Sequence, residues 1–147
     1  MGQLFGTDGI RGRANTYPMT CDLAMKVGQA VGLLTQKSSN QCVVLGQDTR
    51  ISGQMLISAL AAGIASVGID VVTVGVIPTP GIAYLCSAVE SCGAGIMVSA
   101  SHNPYYDNGI KIFDKGFKTV DELEHKLENI IDNGPFDVLE HWGNLNI

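Results

Sequence analysis

Apolar residues recur along this chain with two periods, and the switching between them lays out strands covered by helices. From Asp22 to Lys37, Leu23, Val27, Ala30, Val31 and Leu34 fall on one face at helical spacing, and Asp22 supplies a first-turn acid. "CVVLG" (Cys42 to Gly46) is a short continuous apolar run, the pattern of a buried strand. Gln54 to Val67 returns to the helical period with Leu56, Leu60 and Ile64 on one stripe, and Gly68 is placed to stop it. Asp70 to Val76 ("DVVTVGV") is β-branched and predicts another strand. Pro80 opens a third helix with Ile82, Leu85 and Val89 facing inward, and "AGIMVSA" (Ala94 to Ala100) predicts the next strand. "NGIKIF" (Asn108 to Phe113) alternates in part, as an added or antiparallel strand would. Asp121 to Asp132 is the last helix, burying Leu123, Leu127, Ile130 and Ile131. Strands alternating with helices of this length make βαβ units, so the expected fold class is α/β with a largely parallel sheet.

The segment from Asn133 to Ile147, "NGPFDVLEHWGNLNI", carries turn signals and no clean period. One domain over 1–132 is therefore expected, with 133–147 a linker or the start of a second domain. At 147 residues and 46% hydrophobic content, the chain is long enough to bury its own core. The net charge of −5, without a run of Lys or Arg, disfavours a nucleic-acid partner held through phosphate neutralisation. A small anion needs only one or two cations and some backbone N–H groups, so that class of ligand stays open. The four cysteines, Cys21, Cys42, Cys86 and Cys92, form no C-x-x-C pair, and Cys42 and Cys86, lying within apolar segments, read as small core residues in a reducing compartment. "MGQLFGTDG" has neither the basic nor the apolar region of a signal peptide, and Gly6 stands where myristoylation wants Ser or Thr. No apolar run reaches membrane-spanning length. A cytoplasmic protein without a membrane partner is expected.

The loops that follow three of the predicted strands are elaborate: "GQDTRISG" (Gly46 to Gly53), "VIPTPG" (Val76 to Gly81) and "SASHNPYYDNG" (Ser99 to Gly109). The opposite connections, "KSSNQ" and "VESCG", are plain. Ligands of open α/β sheets bind outside the carboxyl ends of the strands, so this asymmetry places a site at that edge. "FGTDGIRGRAN" (Phe5 to Asn15) can join it, since glycine lets backbone approach a ligand and arginine grips phosphate in two places. An ordinary turn with a solvated Arg11 fits the same residues.

Ser101 has two readings. The esterase pattern G-x-S-x-G is absent, and adjacent residues seldom present their side chains to each other, which argues against His102 as its base. A serine that accepts and returns a phosphoryl group needs mainly positioning and nearby cations, which Lys111 and Arg11 would supply. A turn serine ahead of an Asn-Pro turn explains the loop equally well.

Together, "FGTDGIRGRAN", "GQDTRISG", "VIPTPG" and "VSASHNPYYDNGIK", in this order and spacing, resemble the first domain of the α-D-phosphohexomutases over roughly residues 4 to 132. The resemblance implies a three-layer α/β/α domain with a mostly parallel mixed sheet. It implies that Ser101 carries the phosphoryl group and, through its phosphate, binds Mg²⁺. His102, Asn103 and Lys111 then line the same loop, with Arg11 and Lys111 as phosphate-stabilising and acid/base groups. A lysine beside other cations can shift its pKa, which suits proton exchange with a sugar hydroxyl. Thr7 and Arg50 join Asn103 in the phosphate and substrate loops, Asp48 with Arg50 forms an ion pair that braces them, and Thr79 and Pro80 shape the pocket wall. The implied reaction is interconversion of glucosamine 6-phosphate and glucosamine 1-phosphate through a bisphosphate. Other hexose phosphates of the same superfamily, a non-catalytic phosphate-binding module and a scaffolding domain are the alternatives. The family is built of four domains, and the three-acid D-x-D-x-D metal loop of its second is not found in this chain. The remaining Mg²⁺ ligands are thus expected elsewhere, and little or no activity is expected of these residues alone. The expected partners are a phosphosugar and the family's further domains.

Overall fold

The computed structural model describes residues 3–36, 41–114, 117–118, 121–134 and 140–146. In chain order the elements are β1 (Ile10–Arg13), α1 (Cys21–Thr35), β2 (Cys42–Gln47), α2 (Ser52–Ser66), β3 (Asp70–Val76), α3 (Thr79–Ala88), β4 (Cys92–Val98), β5 (Asp107–Asp114), β6 (Phe117–Lys118), α4 (Asp121–Asn133) and β7 (Leu145–Asn146). Among the described residues the strands form one sheet in the order β1-β5-β4-β2-β3-β7, with β6 paired to β5. Pairing is parallel through β4, β2, β3 and β7, and antiparallel where β5 meets β4, β1 and β6. The sheet is mixed because β4 returns directly as β5, whereas β2, β3 and β4 are joined through helices and so run the same way.

Side chains alternate between two apolar layers, which is why these strands read as continuous apolar runs. Val43, Leu45, Ile96, Val98, Ile110 and Ile112 pack with α1, α2 and α4 on one face. Val44, Met97 and Phe113 pack with Ile82 and Cys86 of α3 on the other. Three layers result. Helices α1 and α2 approach closely through paired glycines: a Cβ on Gly28 would collide with the Leu60 carbonyl, and one on Gly63 with the Met25 carbonyl. Gly68, at φ +85°, ends the α2 turn in the left-handed conformation open to glycine. Glu128 of α4 accepts hydrogen bonds from both the Leu4 and Phe5 amides at 2.9 Å, tying the start of the chain to the last helix.

Three differences from the sequence pattern have local causes. The backbone turns extended immediately after Ala88, so Val89 is 39% exposed and does not face inward with Ile82. The glycine-rich stretch at Phe5 to Asn15 contains a strand, β1, where Ile10 packs opposite Ile110. In the final segment, β7 adds to the edge of β3, held by the Asn144 amide on the Asp70 carboxylate at 2.7 Å and the Val71 amide on the Asn144 carbonyl at 2.9 Å. Residues 135–139 lie outside those described, as do 37–40. The cysteines form no disulfide with one another; burial raises the Cys42 thiol pKa, while the hydrogen bond with Cys86 and burial push that of Cys92 up. Among the described residues no helix is long and apolar enough to cross a membrane.

Candidate functional site

Because β2, β3 and β4 run parallel, the loops that follow them emerge along one rim of the sheet. Backbone bonds stitch the loops to one another: the Asp48 amide donates to the Val98 carbonyl at 3.1 Å and the Ile77 amide to the Gln47 carbonyl at 3.0 Å. Between the first and third loops lies an open cleft of about 550 Å³ lined by Asp48, Thr49, Arg50, Ile51, Ser101, Asn103 and Tyr105. A smaller hollow of about 200 Å³ between α1, α4 and the start of β4 lies at the opposite edge and contains none of the expected site residues.

Ser101 is exposed and sits at φ +56°, a left-handed conformation that costs a non-glycine residue about 1 kcal/mol. Two hydrogen bonds secure it there. Its amide donates to the Ser99 hydroxyl at 3.0 Å, and its carbonyl accepts from Arg50 Nη2 at 2.8 Å. The same turn corrects an expectation about its neighbour: Ser101 Oγ and His102 Nδ1 lie 3.3 Å apart. Adjacent side chains diverge in extended backbone; the positive φ brings these two together.

The support beneath Ser101 is a network around Asp48. Asp48 Oδ2 accepts from the Ser99 hydroxyl at 2.8 Å and from Arg50 Nε at 2.9 Å, while Oδ1 accepts from the Arg50 amide at 3.0 Å. Burial, the largest single influence, would raise the pKa of this carboxyl, but the Arg50 amide, the Ser99 hydroxyl and the Arg50 guanidinium outweigh it and hold the pKa below 3.8. Arg50 reaches on to the carbonyls of Asn103 at 3.0 Å, Pro104 at 2.5 Å and Asp107 at 3.1 Å.

Arg11 on β1 reaches the same loop from the side, with Nη1 at 3.4 Å from Asn103 Oδ1 and Nη2 at 3.7 Å from Asp8. Its register partner on β5 is Gly109, two positions before Lys111, so Arg11 and Lys111 project from one face of the sheet. The Gly6–Gly9 turn lies across β5 there: a Cβ on Gly9 would collide with the Ile110 carbonyl, and Lys111 Cα is 3.2 Å from that position. Thr7 is exposed within this turn. Thr79 and Pro80 begin α3 after the second loop, and neither lines the cleft.

The chain that builds this arrangement has known relatives. Residues 2–137 match the model of the phosphoglucomutase/phosphomannomutase α/β/α domain I. The chain belongs to that family. Proteins named phosphoglucosamine mutase are similar to it: one from Desulforapulum autotrophicum is 56% identical over 92% of this chain, and one from Syntrophus aciditrophicus 52% over 95%. The chain spans about 30% of the length of these relatives. In three dimensions it superposes on a phosphoglucomutase/phosphomannomutase family protein from Burkholderia thailandensis with a TM-score of 0.84, at 30% identity, over 98% of this chain and 32% of the other.

This phosphohexomutase domain also uses residues that the sequence did not single out. Ser99 is buried and relays Asp48 to the Ser101 amide. Asn108 is fully buried, bonding Ser52 at the start of α2 and the Gly109 amide, so it anchors the far end of the loop. A buried Asn inside a strand is the signal that could have marked it. As for magnesium, no group of three or more His, Cys, Asp or Glu among the described residues is placed to hold a metal ion. Asp48 is committed to Arg50 and Ser99, and Asp8 to Arg11. The described residues do not make a magnesium site by themselves.

Proposed function

We propose that this chain is the phosphoserine-bearing domain of a phosphoglucosamine mutase, in which Ser101 passes a phosphoryl group between the two ends of a glucosamine phosphate. The observation that carries this reading is the setting of Ser101: exposed at the rim, turned left-handed, with His102 Nδ1 at 3.3 Å and the Arg11 side chain on the neighbouring Asn103. The 56% identity to a named phosphoglucosamine mutase supports the sugar.

In the forward step the bond between phosphorus and Ser101 Oγ breaks as a sugar hydroxyl oxygen bonds to phosphorus, giving the bisphosphate. The proton lost by the sugar hydroxyl ends on Ser101 Oγ. His102 is positioned to deliver a proton to that oxygen, and Lys111 is assigned the sugar side. The bisphosphate reverses, and the same step run backwards returns the other phosphoryl group to Ser101. Little covalent chemistry is asked of the protein; fixed positive charge beside the transferring group does most of it, and Arg11 is assigned that charge. Magnesium on the serine phosphate would offset further charge, with ligands from outside these residues. Ile51 at 96% exposure, Tyr105 at 84% and Val76 at 62% stand along the rim, which fits docking of further domains over the cleft.

Intact mass and peptide mapping of these residues joined to the polypeptide that completes a full-length relative, after incubation with glucosamine 1,6-bisphosphate and magnesium, test the reading. One phosphate on Ser101 is expected, and none in Ser101→Ala. An unmodified wild-type chain, or a phosphate that persists in Ser101→Ala, would overturn it.

A further inference from the structure

We infer that Arg50 is a positioning residue that shapes the Ser101 loop and is not itself a ligand of the phosphoryl group. The inference rests on the proposed role of Ser101 and concerns how that serine is presented. A guanidinium has five N–H donors in a fixed fork and no acceptor. In Arg50 each donor has an acceptor: Nε gives to Asp48 Oδ2, Nη1 to the carbonyls of Pro104 and Asp107, and Nη2 to those of Ser101 and Asn103. The side chain is only 10% exposed. Nothing remains with which to hold a phosphate. Arg11 differs, because its buried Nε has no hydrogen-bond partner.

The consequence is electrostatic as well as geometric. A loop that receives a dianion must not point its carbonyl oxygens at it. Arg50 turns four of them, from Ser101, Asn103, Pro104 and Asp107, inward onto one cation, which leaves the Ser101 side chain facing solvent. Asp48 fixes the orientation of the fork through Nε. The same carboxylate accepts a hydrogen bond from the Ser99 hydroxyl, which leaves Ser99 Oγ to accept one from the Ser101 amide. Arg50 and Ser99 thus hold the carbonyl and the amide of a single left-handed residue.

The fork, not the charge, is what such a clamp requires, so lysine should not replace arginine. The test is amide hydrogen exchange on the 147-residue chain as wild type, Arg50→Lys, Arg50→Gln and Ser99→Ala. The amides of Ser101, Asn103 and Asp107 are expected to exchange about tenfold or more faster in both Arg50 variants alike, while those of β2 and β4 stay as they were. Ser99→Ala should release the Ser101 amide most. Lysine behaving as wild type, with glutamine alone opening the loop, would overturn the inference.

A second measurement needs no variant. The Arg50 Nε–H signal in wild type should be protected from exchange and unmoved by inorganic phosphate, and a shift of that signal on titration would contradict us. Failure to find phosphate on Ser101 would sink the proposed function, but both measurements would still decide the role of Arg50.

Discussion

Exchanging Asp48 for Asn would remove the charge that orients Arg50 while keeping a side chain of the same shape. The carboxyl pKa lies below its ordinary value in the folded chain, so its contribution is complete above about pH 4 and disappears as pH falls through the folded value, below 3.8. Asp48→Asn should therefore melt lower than wild type at pH 7, and the gap should narrow as the solution is taken towards pH 3. A gap that stays constant over that range would show that Asp48 acts through packing alone. At this scale the sequence was legible in part. Ser101, His102 and Arg11 stood out through their motifs, whereas Ser99 is one of several serines and gains its role only from a buried bond to Asp48. The contact between Ser101 and His102 was misjudged from sequence because it depends on a positive φ, which residue identity outside glycine does not signal.

Among elements, the pairing of α1 with α2 is the most exacting contact. Gly28 and Gly63 let each helix backbone meet the carbonyl of the other, with no room for a methyl group. Gly63→Ala should cost about 1–3 kcal/mol of unfolding free energy in a denaturant titration, although alanine favours helices locally. A neutral or stabilising result would mean that the helices slide apart freely. The N-terminal latch offers a second check. Glu128→Ala strands the Leu4 and Phe5 amides and should cost about 1 kcal/mol, with the exchange of those amides rising together. The helices and central strands were readable because both periods ran over many residues. β1 was hidden by glycines chosen for close approach, as at Gly9 against Ile110. β7 comprises two residues, too few to show any period, and exists only because the β3 edge receives it.

For the molecule as a whole, the cleft has one wall. Its residues come from two loops of a single sheet edge, and no group among the described residues could cage a metal. An assay with glucosamine 6-phosphate is accordingly expected to show turnover near background for these 147 residues alone. Rates of about 1 per second or above, ordinary for enzymes, would contradict that. Adding the polypeptide that completes a relative of full length should restore turnover if the exposed Ile51, Val76 and Tyr105 are docking positions.

The direction of β7 has a practical consequence for anyone labelling this protein. It runs parallel to β3, so it carries the chain towards the end of the sheet where Ser101 stands. It pairs, however, only with Val71 and Val72 at the start of β3, three strands away from β4, so a fluorophore or purification handle attached just after it would leave from the far edge of the sheet and not beside the serine. One placed before Gln3 would instead leave from beside α4, where Glu128 fastens Leu4 and Phe5.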